Sequence, residues 1–347
     1  MEFFRTLMLA MATMAAMALP LTGRAQPVAV ETLEVVCSVH EWCALVQRAF
    51  TEATGVKVHI TERGSGEALD LIVSERERPQ HDLWFGGTGD FHLQAAGMRL
   101  TMAYRSPNNS LLHEWAVTPA QQSGYRTIGI YSGPLGFVYN PAALAAARLA
   151  PPRCWSDLVK PEYRNLVQMS SPYYSGTAYT VIATLVQLMG EDAAFTYLRK
   201  LDHNIKRYTH SGSDALANVA RGDAAIVIAF VYGASDDAAT SPALKTATPC
   251  EGTGYEVGSM SIIKGGPNPN AAKRFFDWAL TAGAQDLAAQ TRQFKLSSNR
   301  NGRVDGRIAD PSTTRLIKYD FVTYGKPEER ARLLKKWGAI VENAAKQ

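Results

Sequence analysis

Ser170-Ser171-Pro172-Tyr173-Tyr174-Ser175-Gly176-Thr177-Ala178-Tyr179-Thr180 reads as a helix start shaped to receive an anion. Pro172 and Gly176 interrupt regular structure. The apolar residues that follow, Ala178, Val181, Ile182, Leu185 and Leu188, recur at helical spacing. Ser or Thr directly before such a run marks a helix N-terminus. The first turn carries free N–H groups and the positive end of the peptide dipole. Gly176 lets an anion come close, and Ser175 and Thr177 add hydroxyl donors. Taken alone, the stretch is most simply a helix cap.

The same arrangement recurs. Ser65 and Gly66 lie between a strand at 56–61 and an amphipathic run at 68–77. Gly86-Gly87-Thr88-Gly89-Asp90 joins a short strand at 82–85 to a helix at 91–96. Thr209-His210-Ser211-Gly212 joins a strand at 205–208 to a helix at 215–221. Ser38-Val39-His40-Glu41, which carries no glycine and is not counted with these, leads from a strand at 33–37 into a helix at 42–54. The glycine cluster is neither a Walker A loop nor a dinucleotide fingerprint. Strand–loop–helix alternation predicts an α/β fold with a mainly parallel sheet in each of two lobes. Ligands of such sheets sit outside the carboxyl ends of the strands. Four Ser/Thr/Gly helix starts, two from each lobe, predict an anion enclosed by neutral donors and therefore releasable.

A length of 347 residues suits roughly two domains. No Gly/Ser-rich linker separates them, so short crossings must join the lobes. The Gly/Pro-interrupted stretch 127–139 and the stretch 252–261 read as those crossings. The expected division is 33–127 plus 256–290 for lobe 1, and 131–252 plus about 291–347 for lobe 2. A formal net charge of +4 without a basic stripe gives no footprint for nucleic acid. The first 25 residues read as a secretory signal peptide, with an apolar run from Thr6 to Leu21 and cleavage after Ala25. The remaining chain is expected to be exported to an oxidising compartment, where four cysteines can pair in three ways. Cys37–Cys43 and Cys154–Cys250 are the favoured bridges, and with no Cys-x-x-Cys a metal site is disfavoured. The seven histidines lack His-x-x-x-His spacing and no Gly-x-Ser-x-Gly is present, so neither an enzyme nor a cofactor is predicted.

Three further stretches complete the pattern: Val36-Cys37-Ser38 with Glu41-Trp42-Cys43, Trp84 to Asp90, and Pro249-Cys250-Glu251-Gly252-Thr253-Gly254-Tyr255-Glu256. With these, nearly the whole exported chain resembles the periplasmic solute-binding proteins of ABC importers, type II two-lobed class. It is most similar to the branch that binds hexose phosphates, members of which are often described as ferric-iron binders. The resemblance implies a monomer that closes on a small phosphorylated ligand and docks at the inner membrane on permease subunits. It implies a site built from Ser38, His40, Glu41, Ser65, Gly66, Thr88, Gly89, Asp90, Ser175, Gly176, Thr177, Ser211, Gly212, Tyr232 and Glu256. In the hexose-phosphate branch a His-Asp pair follows the buried strand; here Tyr232-Gly233 stands there. That change points to a smaller or less hydroxylated organophosphate. The alternative is ferric iron, for which His40 and Tyr232 match two of the four family ligands.

Overall fold

A computed structural model of the protein describes residues 31–232, 244–291, 295–303 and 314–344. Residues 1–25, read above as a signal peptide, and Gly233 lie outside the described residues. No helix among the described residues is long and apolar enough to cross a membrane.

The chain opens with alternating strands and helices: β1 (Thr32–Cys37), α1 (His40–Thr54), β2 (Lys57–Glu62), α2 (Ser65–Ser74), β3 (Leu83–Thr88) and α3 (Gly89–Gly97). α1 stops at Gly55, whose φ of 76° turns the chain left-handed while its N–H reaches Thr51 O at 2.8 Å. α4 (Glu114–Gln122) precedes the long β4 (Ile128–Tyr139) and α5 (Pro141–Ala146). The second alternation is β5 (Val167–Ser170), α6 (Gly176–Met189), α7 (Glu191–Asp202), β6 (Ile205–Thr209), α8 (Gly212–Ala220) and β7 (Ile226–Phe230). Then come β8 (Lys245–Ala247), β9 (Tyr255–Ile262), α9 (Pro269–Ala279), α10 (Ala282–Asp286), β10 (Leu296–Ser297), α11 (Phe321–Tyr324) and α12 (Pro327–Ala344).

Two helices begin three residues earlier than the apolar periodicity predicts, each because an acidic side chain closes the first turn. The Glu67 carboxylate accepts the Gly64 N–H at 3.2 Å, so α2 starts at Ser65. The Ser211 hydroxyl accepts from Asp214 N at 3.1 Å and Asp214 accepts from Ser211 N at 3.0 Å, so α8 starts at Gly212. α4 and β8 carried no prediction. Beyond Asp286 the chain continues as a 3-10 turn, Leu287–Thr291.

Among the described residues the strands pair in the order β2-β1-β3-β9-β4-β7-β5-β6, with β8 and β10 also on β4. β2-β1-β3 is parallel, as is β6-β5-β7, and β9 and β4 run antiparallel at the junctions. β4 serves both halves: Ile128 to Pro134 pair with β9, and Leu135 to Tyr139 pair with β7. Pairing therefore continues along β4 from one half to the other. Residues 295–303, assigned above to lobe 2, dock on the first half. Leu296 and Ser297 pair with Ser132 and Tyr131, and Gln285 holds Asn299 N at 2.9 Å.

One core cluster lies in the first half, with Trp42 edge-on to Phe85 and Phe50 edge-on to Phe275. A second gathers around Phe137, Trp155, Tyr179 and Phe195 and reaches across to Trp84 and Phe91. Burial of each such side chain contributes on the order of 1.5–3 kcal/mol. Both disulfides form as expected: Cys37–Cys43 ties β1 to α1, and Cys154–Cys250 joins residues 96 apart in sequence.

Candidate functional site

Strand ends and helix starts converge on one cavity of about 110 Å³ at the junction of the halves. A single water needs roughly 10–15 Å³ by this measure, so there is room for a small polar ligand. From the first half come Ser38, Val39 and His40 at the start of α1, Gly64 and Ser65 at α2, and Gly87 and Thr88 before α3. From the second come Ser175, Gly176 and Thr177 at α6, and Ser211, Gly212 and Ser213 at α8.

The hydroxyls are prepared to donate. Ser38 Oγ accepts from Trp84 Nε1 at 2.9 Å, Ser65 Oγ from Thr88 N at 3.1 Å, and Ser175 Oγ from Ser170 Oγ at 2.7 Å. A hydroxyl that already accepts keeps its O–H for an acceptor ligand. Thr88 Oγ1 is buried with no hydrogen-bond partner among the described residues, a state that costs about 1–3 kcal/mol unless a ligand meets it. Ser175 does not cap α6 with its side chain, so the dipole end of that helix faces the cavity uncapped. An anion is the chemical complement of this wall.

The floor differs. It is formed at the crossing strands by Tyr131, Tyr232, Glu256 and Lys295. Lys295 is 9% exposed, and its Nζ stands 4.1 Å from the Tyr131 ring centroid and 4.5 Å from that of Tyr232. The expectation of neutral donors alone is thus corrected: a buried ammonium sits in the site. Glu256 is 3% exposed, and burial pushes its carboxyl up to about 8, with Lys295 pulling down and Asp90 pushing further up.

Of the predicted residues, Ser38, His40, Ser65, Thr88, Ser175, Gly176, Thr177, Ser211, Gly212, Tyr232 and Glu256 line the cavity. His40 does so as an exposed side chain ion-paired with Glu62. Gly66, Gly89 and Asp90 do not line it, and the side chain of Glu41 lies outside what the structure describes. Gly66 donates its N–H to Tyr174 O at 3.1 Å, so it joins the halves instead. Gly89 packs against β9, where a Cβ would stand 2.5 Å from Val257 O. Asp90 points inward, 2% exposed, and accepts from Tyr319 Oη at 3.3 Å. Burial pushes its carboxyl up to about 7, partly offset by that bond. The cavity residues that sequence reasoning missed are chiefly Tyr131 and Lys295.

Both residues of the iron alternative, His40 and Tyr232, line this cavity; the exposed His40 ring contacts Glu62, and the Tyr232 ring lies under the Lys295 ammonium. A second cation beside that phenol would meet like-charge repulsion. Among the described residues, the one group of three His, Cys, Asp or Glu side chains within reach of a common ion is Cys154, Cys250 and Glu251. Its two sulfurs are bonded to each other.

A two-lobed α/β chain with a polar cavity at the crossing strands is the architecture of a solute receptor. The chain belongs to the bacterial extracellular solute-binding protein family, whose profile matches residues 84–323. It is similar to the periplasmic binding protein AfuA from Actinobacillus pleuropneumoniae, solved with exogenous fructose-6-phosphate bound. The two are 36% identical with a TM-score of 0.86, over 90% of this chain and 99% of that one. The periplasmic binding protein P5PA is 33% identical with a TM-score of 0.85, over 89% and 99%. A putative 2-aminoethylphosphonate-binding periplasmic protein of Salmonella typhimurium is 25% identical over 78% of this chain and 77% of its own. Iron-bound HitA from Pseudomonas aeruginosa shares the fold alone, at 17% identity and a TM-score of 0.74 over 89% and 99%.

Proposed function

We propose that the protein is the periplasmic binding component of an ABC importer, and that it carries a small phosphorylated organic ligand to a membrane permease. The observation that carries this reading is the wall of donors around one cavity: Ser38, Ser65, Thr88 and Thr177 with the uncapped start of α6. The fructose-6-phosphate found in AfuA and the phosphonate named for the Salmonella relative support a phosphorus oxyanion. In this reading residues 33–127 with 256–290 and residues 131–252 with most of the C-terminal region are lobes. They close by hinge motion at 127–139 and 252–261. The leader directs export and is removed after Ala25, and the receptor acts as a monomer without a cofactor.

Thermal-shift measurement with fructose 6-phosphate, glycerol 3-phosphate, inorganic phosphate and ferric iron tests the class. A ligand that binds only the folded state raises Tm by mass action. An organophosphate is expected to raise it; a rise with ferric iron alone, reversed by chelator, would sink the proposal. Within it, Thr177→Val and Ser65→Ala are each expected to weaken the bound organophosphate about tenfold, the scale of one hydrogen bond to a charged group. Circular dichroism should stay at the wild-type spectrum; apo Tm should hold in Thr177→Val and fall in Ser65→Ala, which strands the buried Thr88 N–H. Unchanged affinity in both variants removes the donor wall from the argument.

A further inference from the structure

The floor of the cavity bears on which phosphorylated ligands enter. Lys295 is held there by its backbone neighbours, since Leu296 and Ser297 pair with β4 at Ser132 and Tyr131. Glycines back both rings: a Cβ at Gly258 would meet the Tyr131 ring at 2.0 Å, and one at Gly133 would meet Tyr232 at 2.5 Å. The two aromatic faces are therefore fixed, and the Lys295 ammonium stands over both. A tyrosine face attracts a cation through its quadrupole. Here the faces that would hold a ligand's ammonium already hold the protein's own. Among the described residues, Glu256 is the remaining group on the floor that could attract a cation. Its burial favours the neutral acid, which serves a hydroxyl or carboxylate as donor and acceptor.

We propose that Lys295 restricts the site to phosphorylated ligands whose organic part ends in hydroxyl or carboxylate oxygens, and excludes those ending in a cationic amine. The inference rests on the phosphorylated-ligand reading above and goes beyond it: the donor wall recognises the phosphorus oxyanion common to both classes, and the floor separates them. A ligand amine near the floor meets a like charge in a partly desolvated space. A carboxylate or hydroxyl there receives an N–H donor.

Two matched sets test this by isothermal titration of the exported chain: phosphoglycolate, 2-hydroxyethyl phosphate and phosphoethanolamine; and glucose 6-phosphate with glucosamine 6-phosphate. In whichever set binds, the amine is expected to be weaker than its hydroxyl counterpart by about tenfold or more, the scale of an unscreened like-charge contact. Lys295→Met should narrow that ratio to below about threefold, and Lys295→Arg should keep it, since only the charge is tested. Equal affinity for amine and hydroxyl, or a ratio unchanged in Lys295→Met, overturns the selection by Lys295 while leaving the phosphorylated-ligand reading intact. Binding by none of these compounds overturns that reading, and the inference with it.

Discussion

Gly176→Ala is expected to fold and to lose ligand binding by about 100-fold or more, on the order of 3 kcal/mol, the upper part of the range for overpacking. Gly176 is the first residue of α6 and faces Thr88 at the end of β3. A Cβ there would stand 2.0 Å from Thr88 Oγ1, 2.8 Å from its Cγ2 and 3.0 Å from its Cβ. No rotation of Thr88 relieves all three contacts, because its Cβ moves only with the backbone. Thr88 is 3% exposed, so its strand end has little room to yield. The two residues belong to opposite halves, and the clash exists only when the halves are together. An open chain is therefore expected to keep its far-UV spectrum and its apo Tm. Titration with the best organophosphate from the thermal-shift screen measures the loss. Affinity within about threefold of wild type would mean that the bound state leaves more space between α6 and β3 than the close approach shown here.

The contrast between Gly176 and Lys295 shows what sequence could carry. The stretch Ser170–Thr180 was legible because its signals are local. Proline and glycine break the chain, a hydroxyl residue precedes an apolar period, and the helix then begins at Gly176 with Ser175 as its cap position. Ser38, Ser65, Thr88 and Ser211, picked out by the same local grammar, line one cavity. Asp90 failed the extrapolation although it follows the glycine cluster. α3 starts at Gly89, so Asp90 already lies on its first turn and turns toward Tyr319. Gly66 failed because the neighbour that uses its N–H, Tyr174, is distant in sequence. Lys295 was invisible for the same reason. Lys-Leu-Ser carries no glycine, cap or period, and its place is set by the pairing of β10 with β4. Long-range pairing that depends on a two-residue strand leaves no pattern to read. The early start of α8 also shows that Asp can serve the role usually sought in Glu or Gln.

Between pH 6.5 and pH 8.5 the apo protein is expected to lose about 2–3 kcal/mol of stability, because two buried acids are made to ionise in the fold. Burial pushes Asp90 up to about 7 from 3.8, and Glu256 up to about 8 from 4.5. In the unfolded chain both are ionised throughout this window. The native state therefore binds more protons than the unfolded state, and stability falls as pH rises through the folded values. Asp90 is faced by Tyr319, Tyr179 and Glu256, and Glu256 by Lys295 and Asp90. The tyrosines are held above their usual range by burial and stay neutral here. Other shifted groups act at lower pH. Burial lowers His92 to about 3 from 6.5, so its contribution is lost only as pH falls below about 6.5. Glu191, held at about 2 by its bonds to Arg332 and Lys336, matters only in still stronger acid. Denaturant melts across the window measure the slope. Asp90→Asn with Glu256→Gln keeps both shapes while removing the ionisation, and is expected to flatten it. A flat or rising profile in the wild type, or the same slope in the double variant, would show that these carboxyls reach solvent or a counter-charge more readily than their burial indicates.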